Sequence, residues 1–156
     1  MSVGIETLFT SALGLVAPWE VAKVELDTTR RRIDFEVCCS AKTLACPQCG
    51  AADQRIHDRL RRSWRRMDFF QFEAWLHAGV PRVPRVTCTG CGKTSQTGVP
   101  WAREGSGFTS LFEALAMTLC RDLPVRQAAA MLRCGDKQLW TRITHFVVTG
   151  QPSHLD

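Results

Sequence analysis

The chain has 156 residues, 45% of them apolar, and a net charge of +5. That length buries one ordinary core or two small ones that need reinforcement. No apolar run approaches the roughly 20 residues that span a bilayer, and the N-terminus has no basic region running into an unbroken apolar stretch, so the expectation is a cytoplasmic protein without a membrane partner. In that reducing setting eight cysteines point to metal ligation or packing instead of a disulfide framework.

Apolar residues at helical spacing from Ile5 to Leu13, closed by Gly14 and Pro18, predict a short amphipathic helix. The segments Val21–Asp27 and Arg32–Val37 alternate apolar with polar residues, with Asp27-Thr-Thr-Arg30 between them as a turn, which predicts a β-hairpin. Cys46-Pro-Gln-Cys49-Gly and Cys88-Thr-Gly-Cys91-Gly are knuckles of identical spacing, each followed by glycine. Two such pairs complete a tetrahedron of thiolates around one zinc ion, and a fully occupied tetrahedron is structural, with no open position for catalysis. Unrelated redox CxxC motifs would require a βαβ context that the surrounding pattern lacks. The 38 residues between Cys49 and Cys88 must then form an inserted hairpin or helix. Cys38, Cys39, Cys120 and Cys134 have no matching spacing and read as small hydrophobes.

The insert carries the densest charge. Residues 30–93 hold 13 Lys or Arg against six acids, and Arg55, Arg59, Arg61, Arg62, Arg65 and Arg66 surround Trp64. Guanidinium groups bind phosphates bidentately, so this segment is a candidate phosphate grip, with a solvated charged face as the plainer alternative. Arg82 and Arg85, beside the second knuckle, extend the candidate patch, and His57 is an alternative metal ligand. A strand follows with Phe70, Phe72, Ala74 and Leu76 on one face. The prolines in Val80-Pro-Arg-Val83-Pro-Arg-Val86 confine that segment to an edge.

Residues 99–107, rich in glycine and proline, read as a linker. Beyond it, Ser110 and Glu113 are spaced as a capping box for a first helix over Leu111–Arg121. A second helix over Val125–Arg133 starts behind Pro124, and a third over Asp136–Val147 follows a turn containing Gly135. This is helix-turn-helix grammar, although plain three-helix bundles share the apolar pattern. In a helix-turn-helix the start of the last helix enters the major groove, which nominates Lys137, Gln138, Thr141 and Arg142, with Arg126 as a further candidate DNA contact.

The chain resembles the N-terminal part of transposases of the ISL-three insertion-sequence family from about Cys46 onward. The resemblance is carried by Cys46-Pro-x-Cys49-Gly, His57-Asp-x-x-Arg61-x-x-Trp64-Arg65, Asp68-Phe-Phe-Gln71-Phe72-Glu and Val83-Pro-Arg-Val86-x-Cys88. Val99-Pro100-Trp101-Ala102, Gly107-Phe108-Thr109 and the helix-turn-helix stretch add to it. It implies a zinc-binding region and a helix-turn-helix that recognise the terminal inverted repeats of a mobile element. In that family the catalytic carboxylates lie downstream of this region, so no catalytic residue is carried over and no enzymatic activity is expected of this chain by itself.

The resulting expectation is an α+β protein: a small β-rich four-Cys zinc module followed by an all-α helix-turn-helix domain. Its parts would be a helix and hairpin (1–45), the zinc module (46–98), a linker (99–107) and the helical domain (108–150). One structural zinc would be held by Cys46, Cys49, Cys88 and Cys91. The partner would be double-stranded DNA, in the bacterial cytoplasm and nucleoid, with a homodimer or a separate catalytic transposase as further partners. The competing functions are a stand-alone repressor and a zinc-ribbon protein–protein adaptor.

Overall fold

The computed structural model describes residues 3–56, 58–83, 88 and 90–149. The expected first helix forms as α1 (Ile5–Ala12), followed by the hairpin of β1 (Trp19–Asp27) and β2 (Arg32–Cys39). The turn closes where Arg30 donates its backbone N–H to Asp27 Oδ1 at 2.9 Å. Two short strands, β3 (Thr43–Leu44) and β4 (Gln54–Arg55), pair with each other. The insert between the knuckles is then a second long hairpin, β5 (Arg59–Phe69) and β6 (Phe72–Val83), and β7 (Ser95–Gln96) pairs with the end of β6.

The two hairpins merge. The principal sheet runs β1-β2-β6-β5, with β2 and β6 parallel and the other neighbours antiparallel. The expected division at residue 45 therefore does not separate the first hairpin from the zinc-bearing segment, because each hairpin alone would leave one apolar face without a partner. Alternation along the strands sends Ile33, Phe35, Val37, Ala74, Leu76, Ala78, Val80 and Trp64 to one buried face. Burying a side chain of this size contributes roughly 1.5–3 kcal/mol. Phe70 does not share that face: it occupies the tight β5–β6 turn at φ 53° and is 81% exposed. Pro81 lies beyond the β2 ladder, which ends at the Val37–Ala78 pair, so its missing N–H costs the sheet nothing on that side.

The expected linker is also part of the core. Trp101 wedges between Trp19 and Trp64, with edge-on ring contacts at 4.9 and 5.3 Å. Val99, Trp101 and Ala102 pack on the same cluster that α1 covers through Phe9 and Leu13. Ser106, 1% exposed, donates to the buried carboxylate of Glu113, which also accepts from Arg103 Nε at 3.0 Å. A segment rich in turn residues is packed here because tryptophan supplies area that the glycines do not.

The helical part consists of α2 (Ser110–Asp122), α3 (Val125–Leu132) and α4 (Asp136–Thr149). The cap of α2 is Thr109, whose Oγ1 accepts from Phe112 N at 3.3 Å, and not Ser110. Glu113 is thereby freed from the expected capping box for its buried contacts with Ser106 and Arg103. Phe108, Phe112, Ala116, Ala128, Ala129, Leu132 and Leu139 form a second core. Ala128 and Ala129 are buried and let the helices approach closely, while Ala130 faces outward.

Candidate metal centre and nucleic-acid interface

Each knuckle sits at the tip of a small antiparallel pair. The β3–β4 pair presents Cys46 and Cys49, and the β6–β7 pair presents Cys88 and Cys91. The two tips fold alike: Gly50 N donates to Cys46 O at 2.8 Å, and Gly92 N donates to Cys88 O at 3.0 Å. Gly50 and Gly92 both have positive φ, 76° and 66°, so the glycine after each pair is needed to turn the chain. The four Sγ atoms lie within 4.8 Å of one another, with Cys46–Cys91 and Cys49–Cys88 at 3.6 Å and Cys88–Cys91 at 3.3 Å. A Zn–S bond of about 2.3 Å in a tetrahedron requires sulfurs about 3.8 Å apart, close to this spacing and far longer than a disulfide.

The four thiols are electrostatically coupled. Hydrogen bonds from the Cys91 amide and thiol bring Cys88 down to about 6. Cys91, drawn down by the Lys93 amide, is nevertheless pushed up to about 12 by its thiol neighbours and by burial. Ionising one member thus suppresses the next, a conflict that a coordinated divalent ion removes by deprotonating every ligand outright. A zinc ion held by Cys46, Cys49, Cys88 and Cys91 would supply structure, since these ligands come from both tips and so flank the β5–β6 insert. Gly90, which the sequence reading overlooked, completes the cradle. A Cβ at this position would stand 2.6 Å from Cys49 Sγ, so the inside of the second knuckle is the back wall of the first. His57 lies outside the described residues.

The basic segment is organised differently from its appearance in sequence. Because β5 is extended, its side chains alternate between faces, and the arginines cannot all address one polyanion. Arg59 and Arg61 are exposed on the outer face, while Arg62 and Arg66 belong to the opposite side and are half-buried. Arg61 forms a two-pronged pair with Glu36, at 2.9 and 2.5 Å, which holds that carboxylate below its usual range. Burial lowers the Arg66 guanidinium. Arg65 is not on the surface at all, at 1% exposure. Arg55 is exposed on β4. Arg82 pairs through its backbone with Gln96, and Arg85 lies outside the described residues.

The rest of the outer face of the sheet is a mixed-charge network. Asp34 accepts from Arg32 Nε and Nη2 at 2.7–3.0 Å and meets His77 Nε2 at 2.6 Å, and His77 Nδ1 meets Ser63 Oγ at 2.6 Å. Burial works to raise the Asp34 carboxyl, but the hydrogen bonds from Arg32 and His77 outweigh it and hold the group low.

On the helical part, α4 divides cleanly. Leu139 and Ile143 pack inward, whereas Lys137, Gln138, Trp140 and Thr141 are exposed. Arg142 belongs with the inner set: its guanidinium lies over the Phe108 ring at 5.8 Å, its Nε is buried, and burial lowers its pKa. Trp140, 60% exposed, shares a shallow groove with Lys137, Thr141 and the exposed Arg126 at the start of α3. Its phase, one residue off the Leu132, Leu139 and Ile143 stripe, was the sequence signal that could have exposed it.

Residues 42–91 match the family described as the zinc-finger of transposase IS204/IS1001/IS1096/IS1165, and residues 99–147 match the helix-turn-helix domain of transposase family ISL3. The chain belongs to the ISL3 transposase family. Its matched regions are the family's DNA-binding parts, the zinc ribbon and the helix-turn-helix; neither matched region is a catalytic domain. This ISL3 transposase region is thus a DNA-binding protein organised around one zinc site held by four cysteines. None of the curated proteins and none of the solved structures matches the chain. Among its described residues no helix is long and apolar enough to cross a membrane.

Proposed function

We propose that this chain docks on the terminal inverted repeats of a mobile element, with α4 reading bases in the major groove. The observation that carries this reading is the division of α4, whose inner side is committed to the helical core while Lys137, Gln138, Trp140 and Thr141 stand clear of it. Polar side chains at the start of such a helix meet base edges, and the exposed indole supplies an apolar surface for thymine methyl groups. Arg126 on α3 lines the same groove, which supports it as the contact to the flanking phosphate.

The sheet contributes affinity through cations that remain on its surface. Arg55 and Arg59 are exposed, and Arg61, on the same face as Arg59, must leave Glu36 before it can engage a phosphate; Arg62 faces the opposite side and lies outside this set. Arg82 and Arg85, which precede the second knuckle in the sequence, are further candidate phosphate contacts. In this reading the chain acts in the cytoplasm on the nucleoid, with a homodimer or a catalytic transposase unit as its further partner.

The test is selection from a random duplex pool, followed by binding at graded salt. Lys137→Ala with Gln138→Ala should erase the enriched motif while leaving most salt-dependent, non-specific binding; Arg55→Ala with Arg59→Ala should flatten the salt slope by up to about two charges and keep the motif. No enriched motif in the wild type, with association unaffected by salt, would replace this reading with that of a protein-binding adaptor. A palindromic motif bound by a stable dimer would favour a repressor.

A further inference from the structure

Arg65 stands in the middle of the basic segment, yet its side chain is spent entirely inside the protein. Its Nη2 donates to Asp68 Oδ1 at 2.8 Å and to Leu132 O at 3.2 Å, its Nη1 donates to Ala74 O at 3.3 Å and to Arg66 O, and its Nε lies 3.4 Å from Glu73 Oε1. The guanidinium also covers the Phe112 ring at 5.1 Å. Its backbone is occupied as well: Arg65 N donates to Gly107 O at 2.8 Å, and Thr109 N donates to Arg65 O at 2.9 Å. One residue therefore touches β5, β6, the start of α2 and the last carbonyl of α3, where the negative end of the helix dipole favours a cation.

The contact is answered from the other side. Arg133 follows α3 with φ 54° and ψ 47°, in the left-handed region that an arginine enters at a cost of roughly 1–2 kcal/mol, although Gly135 is available two residues later. The backbone closes a Schellman turn, with Cys134 N on Ala129 O at 3.1 Å and Arg133 N on Ala130 O at 3.3 Å. From this strained position the Arg133 side chain pairs with the second oxygen of Asp68 and reaches Gln71 O at 3.5 Å. Asp68 is thus gripped by two guanidiniums, one from the sheet and one from the turn of the helix-turn-helix.

We propose that the Arg65–Asp68–Arg133 clamp fixes the angle and distance between the zinc-bearing sheet and α4, so that both address DNA as one rigid footprint. Arg65 is a positioning residue, not a DNA contact. The clamp pins the α3–α4 turn, the element that sets the direction of the recognition helix, to the end of the β5–β6 hairpin whose other end is held at the zinc site. The consequence for DNA, a single permitted spacing between the part of the site read by α4 and the part gripped by the sheet, rests on the reading given under Proposed function.

The test uses the full chain in two measurements. Backbone 15N relaxation of the free protein reports whether sheet and helices tumble together, and binding to duplexes with one or two base pairs inserted within the selected site reports the spacing preference. The variants are Arg65→Lys, which keeps the charge and loses the fork, and Arg133→Gly, which relieves the left-handed strain while removing the Asp68 contact and so keeps the helical part folded. Wild type should tumble as one body and lose at least ten-fold in affinity on insertion; both variants should tumble as two bodies and lose less than about three-fold. Variants that tumble as one body and keep the ten-fold penalty would overturn the clamp. Decoupled variants of a protein that shows no spacing preference even in the wild type would uphold the clamp and overturn the two-part reading of DNA.

Discussion

Replacing Gly90 by alanine tests how closely the two knuckles are fitted. The added Cβ would lie 2.6 Å from Cys49 Sγ and 3.4 Å from Ala51 Cβ, whereas ordinary contact begins at 3.4 Å. The sulfur must therefore yield by about 0.8 Å, several times the roughly 0.2 Å within which metal–ligand distances are held. A disturbance of that kind costs roughly ten- to hundred-fold in zinc affinity, about 1.4–2.8 kcal/mol, less than the outright loss of a thiolate in Cys49→Ser. Competition against a chromophoric chelator measures the affinity, and the visible spectrum of the cobalt-substituted protein reports whether the site remains tetrahedral. Two other glycines bracket the result. Gly92→Ala meets no atom within 4 Å but carries φ 66°, and should cost about 1 kcal/mol, near five-fold. Gly98→Ala meets no atom within 4 Å and has no such φ, and should leave zinc binding unchanged. A Gly90→Ala protein that binds zinc within two-fold of wild type, with an unaltered cobalt spectrum, would refute the fitted-knuckle geometry.

Leu139→Ala should destabilise the helical core by about 2–5 kcal/mol, since Leu139 is fully buried among Phe108, Phe112 and Leu132; calorimetric melting measures the loss, and zinc stoichiometry should stay at one per chain. Trp140→Ala, at a 60% exposed position, should shift stability by no more than about 0.5 kcal/mol while weakening binding to the selected duplex, so a large stability loss or undiminished binding would remove Trp140 from the recognition surface. Asp34 and Glu36 are held below their ordinary values of 3.8 and 4.5, so their pairs with Arg32, His77 and Arg61 stabilise the fold above those values and are lost as the pH falls through the lowered ones. Denaturant melts should therefore show the stability gap between wild type and Asp34→Asn shrinking below about pH 4.

Much of this architecture was legible in the chain itself, because the decisive signals were local. The paired CxxC spacing named the metal ligands, strict alternation marked the hairpins, and the apolar stripe of Leu132, Leu139 and Ile143 with Pro124 ahead of it marked the last two helices. The turn between β1 and β2 and the extent of each helix followed from the same short-range rules. What the chain could not disclose was which of its polar groups remain at the surface. Arg65 looks like its neighbours Arg62 and Arg66, and only the approach of Leu132, 67 positions later, turns it from a phosphate contact into a buried clamp. Trp101 sits in a stretch with the composition of a linker and becomes a wedge because Trp19 and Trp64 leave space between them. Likewise the merging of two hairpins into one sheet rests on the parallel pairing of β2 with β6, a contact made over some 40 residues of intervening chain. Local sequence determines conformation and ligand chemistry over a few residues; which charges are exposed, paired or buried is decided by desolvation, and desolvation depends on what the rest of the chain brings alongside.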